Sequence, residues 1–313
     1  MWFNNALIFH YEFDKSIDIN ALLAEEALKP CPPHARFIYG WLPIADECFA
    51  QEVAGTTLIC MGKEERVLPR SVIHRELEER VSSQEAQLLR ALKRTEKAQM
   101  AEEIEFELLP KAFCLQKRMY AMLDSVSNHL IINAASQTQA AQLTSFLRKS
   151  LPGLRIEPLQ YGENLGARFS EWISSPAAIP ASFQLASDCL LFSPDDEKKR
   201  FTCKGYELPA EEILSLLTQG LIPAEVSVQW NERIQFTLTQ DFSIKRIKCM
   251  DYLIEEFSEF RQLDDDAQQR DAALTLLSGE LRAMIADLLK HLGTSDEMIH
   301  MAESTSVAHG LIA

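Results

Sequence analysis

The chain has 313 residues, 47% hydrophobic and 25% charged, enough to bury a sizeable core and ordinary for a water-soluble globular protein of two or three subdomains. Its 46 acidic and 31 basic side chains leave a net charge of −15, which excludes a protein that coats polyphosphate with its whole surface. A localised basic surface stays open, because the field depends on where charges sit.

The opening residues lack a basic run, and Glu12 and Asp14 interrupt the apolar ones, so no signal peptide is read there. Residues 6–13, ALIFHYEF, are rich in strand formers. Asp18 is placed to cap a helix through Lys29, and Pro30, Pro32 and Pro33 then enforce an extended turn. Residues 37–42 and 56–61 read as strands. LPRSVIHRELEERV starts a helical region that runs, with an interruption expected near Ser82 and Ser83, to Pro110. Within it Arg90, Lys93, Arg94 and Lys97 fall at helical spacing and predict one basic stripe, either a solvated face or a binding surface. Beyond Met100 the apolar pattern rotates, which fits one helix with changing neighbours or a break there.

Residues 113–123 and 129–134 predict two strands joined by a turn, followed by a helix over 137–150 and a short strand over 154–158. A brief helix is expected from Glu163 to Trp172, and the proline-bearing stretch 174–180 reads as a linker. Strand character resumes at 183–192, and Asp195 to Arg200 reads as a charged turn. Pro209 suits the first turn of a helix ending at Thr218, with Gly220 as its stop. Residues 224–238 carry the cleanest strand signal, with a polar face of Arg233, Gln235, Thr237 and Thr239. After a turn near Asp241, residues 244–249 form its partner, and Asp264 to Asp266 cap a long helix toward Leu292. The tail from Thr294 is polar and expected to be disordered. The fold class is therefore α+β with mixed antiparallel sheets and long helices. Its parts divide as 1–75 (α/β), 76–112 (helical), 113–175 (strand–strand–helix–strand), 176–293 (α/β with a basic hairpin) and 294–313 (tail).

The hairpin is the second basic element. Lys245, Arg246 and Lys248 lie in an acid-free run, with Arg246 and Lys248 on one strand face and Lys245 on the other, and in a suitable register Arg233 joins the first two. Such charges equally guard a sheet edge. Lys117 and Arg118 mix with aromatics. Arg148 and Lys149 are explained by their place at a helix C-terminus. Enzyme signatures are missing: no phosphate loop, GxGxxG, GxSxG or HExxH occurs. The HxE at His74 has no PCxxC, and the triple aspartate at 264–266 reads as a cap before a two-metal site. No cofactor or metal is expected, and no catalysis. Seven cysteines, at 31, 48, 60, 114, 189, 203 and 249, show no CxxC pair or zinc spacing, which suits free thiols in a reducing cytoplasm. No apolar run approaches the roughly 20 residues that span a bilayer.

Several stretches together resemble the recombination-associated RdgC family of bacterial DNA-binding proteins. They are MWFNNALIFHYEF, GWLPI, KEERVLPRSVI, LKRTEK, LLPKAF, FLRKSL, VSVQWNERIQFTLTQDFSIKRIKCMD and LLSGELRAMIADLLKHLG, in that order from Met1 to Gly293. The resemblance implies a horseshoe-like protomer that closes into a ring-shaped homodimer around a basic channel. It further implies sequence-nonspecific binding of single- and double-stranded DNA, nucleoid association and restraint of RecA-type recombinase. Carried over by motif, the phosphate-facing candidates are Lys93, Arg94, Lys97, Arg118, Arg233, Lys245, Arg246 and Lys248, with Phe113 at a dimer interface. Where relatives tend to carry a basic-Gln-Asp-Leu run, this chain reads Lys204-Gly205-Tyr206-Glu207-Leu208, which puts one ring-closing contact in doubt. The alternative is an acidic interaction factor of recombination or replication with little DNA affinity of its own.

Overall fold

The computed structural model describes residues 2–292 except 15, 160, 162, 163, 207, 209, 261, 262 and 264. Strand β1 (Leu7–Glu12) leads to helix α1 (Ile19–Glu25), whose first turn is capped by the Asp18 carboxylate accepting from the Ala21 N–H. The helix stops short of Lys29 because the chain is taken up by a strand. Leu28 N–H donates to Trp41 O and Trp41 N–H to Glu26 O, along β2 (Phe37–Leu42). This crossing lies over Gly40, where a Cβ would stand 2.3 Å from the Leu28 Cα, so only glycine fits. Strand β3 (Ala50–Val53), which the sequence pattern does not announce, turns through Ala54 and Gly55, both at positive φ, into β4 (Thr56–Arg66).

The helical region is two helices, α2 (Arg70–Leu88) and α3 (Arg94–Leu108), packed on each other. The break falls at 89–93, between the two positions where the sequence pattern suggests one. Then come β5 (Cys114–Asp124), β6 (His129–Ile132), α4 (Gln137–Ser150), β7 (Arg155–Pro158) and α5 (Leu165–Ser174). The first sheet runs β2-β4-β5-β6-β1-β7, with β3 extending the β2 edge of β4. Strands β8 (Phe183–Ser193) and β9 (Asp196–Cys203), α6 (Glu211–Thr218), β10 (Ile222–Trp230), β11 (Ile234–Thr239) and β12 (Ile244–Cys249) follow, then α7 (Asp251–Phe260) and α8 (Asp266–Leu292). The second sheet runs β12-β11-β10-β8-β9, and every strand pairing in both sheets is antiparallel. The α+β class is confirmed.

Two expectations are corrected. Asp195 to Arg200 is no turn: most of it is β9, an edge strand on which Lys198, Lys199 and Arg200 are tolerated because they are exposed to water. The run 224–238 is not one strand but β10 and β11, reversed at Asn231 and Glu232 with φ of 46° and 56°. Its expected polar face is covered, since Thr237 and Thr239 are buried, the former paired with the Ser227 hydroxyl at 3.0 Å. The expectations for Glu163, Pro209, Asp264 and the tail 294–313 fall on residues outside those described.

One face of the first sheet buries Trp41, Ile59 and Leu130 against Leu143 and Leu147 of α4, and the Trp41 indole donates to Ser150 Oγ at 2.8 Å. Its other face, through Ile8, Leu58, Met122 and Ile131, shares a core with α5, the second sheet and α8. Each such side chain contributes roughly 1.5–3 kcal/mol by leaving water. A charged clamp joins α8 to the first sheet: Arg282 donates to both oxygens of the buried Asp124 at 2.8 Å. Ala6 and Ile244 exchange both backbone hydrogen bonds, so β12 also borders the first strand's entry.

Candidate functional site

The basic strip sits on β12, the edge of the second sheet. Gln235 pairs with Lys248 and Thr237 with Lys245, so Arg246 and Ile247 together oppose Phe236 in a bulge, with Arg246 at φ 54°. The extra residue undoes the expected alternation. Lys245 and Arg246 reach the same carboxylate, Glu225 of β10, at 3.0 and 2.9 Å, while Arg246 Nε donates to Thr237 Oγ1 at 3.0 Å. Lys248 is exposed and has no ion-pair partner among the described residues. Two of the three cations therefore share one carboxylate, and the third is unpaired among the described residues. The N-terminal segment holds the strand's outer edge: Ile247 N–H donates to Asn4 O at 2.8 Å and Arg246 N–H to Asn5 Oδ1 at 3.3 Å.

Arg233 does not join this strip. It lies in the turn before β11, and its guanidinium is gripped by Glu256 of α7 and Glu280 of α8 at 2.7–3.0 Å. Those carboxylates raise its already high pKa further, and in return Arg233 holds the Glu256 carboxyl below its ordinary range.

The expected basic stripe is not one helical face, because Arg90 and Lys93 belong to the turn between α2 and α3. Acids wire that turn. Glu85 accepts from the Leu92 N–H at 2.8 Å and pairs with Lys97 at 3.0 Å. Glu96 accepts from the Lys93 N–H at 2.7 Å and from Arg90 at 2.7 and 3.0 Å, and these bonds, Arg90 first, hold its carboxyl down at about 2. Arg94 is exposed and has no ion-pair partner among the described residues. Leu89, in the left-handed region at φ 52°, is 91% exposed at the tip.

Where β4 and β5 run out, Arg118 is exposed opposite Gly62, while Lys117 and Lys63 both hold Glu65. Arg66 fixes this end through carbonyl oxygens of Cys31, Pro32, Leu109, Pro110 and Ala112 at 3.1–3.2 Å. The anchored corner presents an apolar surface. Phe113 is 86% exposed and Phe106 59%, with Phe37 and Leu115 half exposed beside Glu65 in one row across β2, β4 and β5. No periodicity marks such residues as exposed; only the LPKAF match singled out Phe113.

Elsewhere, a cavity of about 750 Å³ lies between β3–β5 and helices α7 and α8. Trp2 lines it, and its buried indole N–H has no hydrogen-bond partner among the described residues. Among the described residues no three His, Cys, Asp or Glu side chains are grouped to hold a metal. Asp265 accepts from the Ala267 N–H at 2.9 Å, as a cap does. All seven cysteines are free, and among the described residues no helix is long and apolar enough to cross a membrane.

A family model described as "Putative exonuclease, RdgC" matches residues 1–295. The chain is 32% identical over 303 residues to the Recombination-associated protein RdgC of Proteus mirabilis (strain HI4320), covering 95% of this chain and 100% of that one. Its similarity to the proteins of the same name from Pseudoalteromonas translucida (strain TAC 125) and Yersinia pestis (strain Pestoides F) is 30% identity over 304 and 299 residues. These matches cover 95% and 94% of this chain and 100% and 98% of the relatives.

Proposed function

Because the chain belongs to the RdgC family of recombination-associated proteins, we propose that it binds single- and double-stranded DNA without sequence preference, as a homodimer enclosing the strand. In that role it restrains RecA-type recombinase by occupying DNA, in association with the nucleoid. The observation that carries this reading is the excess of cation on β12, where Lys245 and Arg246 share the single carboxylate of Glu225 and Lys248 has no ion-pair partner among the described residues. In a chain of net charge −15, a carboxylate-poor strip is where a polyanion is attracted rather than repelled. Exposed Arg94 and Arg118 extend the set. Lys93 and Lys97, at the wired turn, contribute charge in part offset by Glu96 and Glu85. Arg233 is the weakest of the eight candidates, since two carboxylates already neutralise it. Contact of this kind is phosphate neutralisation plus enclosure, with few base-edge contacts.

Phe113 supports closure of the dimer, since a phenyl 86% exposed gains most by leaving water against a second copy. Phe113→Ser is expected to shift the chain toward monomer in sedimentation without lowering its unfolding midpoint. A dimer of unchanged affinity would remove Phe113 from the interface.

The test of DNA binding is affinity for a labelled duplex and a single-stranded oligonucleotide of mixed sequence across a salt series. Binding to both that weakens steeply with salt is expected. Absence of binding at low salt would favour the acidic interaction factor. The family model's wording raises exonuclease activity as a second reading, and magnesium-dependent shortening of an end-labelled duplex by the purified chain would establish it.

A further inference from the structure

We propose that Cys189 and Cys203 are a modification site, a thiol pair that closes reversibly into a disulfide stapling β8 to β9. The two residues stand directly opposite each other on the antiparallel ladder. Residues so placed have Cα atoms roughly 4.5–5.5 Å apart, inside the span of roughly 4.4–6.8 Å that a disulfide bridges. At one register position of the ladder the two side chains leave the same face of the sheet. No backbone rearrangement is needed to bring the sulfurs together.

The two thiols differ in a way that orders the chemistry. Cys189 is buried in the core, and that burial, with the adjacent Cys203, pushes its thiol up to about 12. Cys203 is half-buried and reached from solvent. The oxidant is of the peroxide class. Cys203 gives up its thiol proton and its sulfur attacks one oxygen of hydrogen peroxide; the O–O bond breaks, leaving a sulfenic acid and one water. Cys189 sulfur then attacks the Cys203 sulfur, the S–O bond breaks, and the hydroxide leaves with the Cys189 proton as a second water. Two thiols and one peroxide become one disulfide and two waters. A thiol reductant reverses the bond by exchange.

The staple lies beside the stretch Lys204-Gly205-Tyr206. That stretch is tied back next to Cys189: Gly205 N–H donates to Asp188 Oδ1 and Tyr206 N–H to Ser187 O, both at 3.1 Å. Oxidation therefore adds a covalent tie beside the two hydrogen bonds that hold this loop.

The test treats the full chain with hydrogen peroxide, blocks remaining thiols with iodoacetamide and maps tryptic peptides without reduction. The proposal expects peptides 169–198 and 201–204 to appear joined, lighter by two hydrogen atoms than their sum. The joined species should vanish after dithiothreitol treatment and in Cys203→Ser. In Cys189→Ala, where no resolving thiol remains, Cys203 should instead be labelled by dimedone as a sulfenic acid. Full alkylation of both cysteines, over-oxidation of Cys203 with Cys189 still reduced, or joining of Cys203 to another cysteine would each overturn it.

Discussion

Arg233→Gln separates a structural cation from a DNA-contacting one. The guanidinium makes five N–H···O contacts, three to Glu280 and two to Glu256, between 2.7 and 3.0 Å. It holds the turn before β11 against two helices that are 23 and 47 residues further along the chain. Hydrogen bonds to charged groups contribute ~1.5–3 kcal/mol each. Here they are shared by two carboxylates, and the side chains retain 26%, 42% and 14% of their exposure for Arg233, Glu256 and Glu280. Screening by water then reduces the total to about 2–3 kcal/mol. At the usual sensitivity of a domain of some 150–250 residues, that lowers the unfolding midpoint by roughly 4–12 °C. Thermal unfolding followed by circular dichroism measures the shift, and a salt series on duplex DNA measures the slope of log affinity against log salt. A lower midpoint and an unchanged slope are expected. An unchanged midpoint with a slope smaller by about one would show that Arg233 faces phosphate after all.

Two further perturbations test the frame that carries the site. Burial alone pushes the Asp124 carboxyl up, but bonds from Arg282, Ser127 and the Val126 N–H outweigh it and hold the group below its ordinary value. A depressed folded-state pKa adds stability above the unfolded value of about 3.9 that is lost as pH falls through the folded one. Arg282→Met strands the buried carboxylate and should cost ~3–5 kcal/mol at pH 7 in urea unfolding, with the gap to wild type narrowing below about pH 4 as the carboxyl protonates. A gap independent of pH would contradict the clamp. Gly40→Ala places a methyl 2.3 Å from the Leu28 Cα and 2.5 Å from its N, backbone atoms with nowhere to go. It should destabilise by about 3 kcal/mol or more, and a midpoint within a degree or two of wild type would show that the crossing relaxes easily.

Elements with a clear period and a clear cap were legible from the residues. Gln137–Ser150 begins at a Ser136 hydroxyl that accepts from the Gln139 N–H and carries Leu143 and Leu147 on its buried face, and its bounds match the expectation. Features set by partners far along the chain were not. The α2–α3 break has no glycine or proline to announce it: Leu89 takes a left-handed conformation, and glutamates on both sides bind the turn. The β12 bulge depends on which residue of β11 it faces, so two-residue alternation put Lys245 on the wrong side. β9 looks like a turn because an exposed edge strand can be charged throughout. Which arginines are spent also depends on distant carboxylates; Arg233 and Arg246 read alike until Glu256, Glu280 and Glu225 are in place.

On the proposed function, DNA meets the exposed cations that have no carboxylate of their own. The most direct measurement is the salt slope of duplex binding for wild type against the combined variant Arg94→Ala, Arg118→Ala, Lys248→Ala, at matched folded fraction. Wild type is expected to bind with a steep negative slope, and the variant's slope to shrink by about 0.9 for every phosphate contact removed. Equal slopes and equal affinities for the two proteins would contradict it.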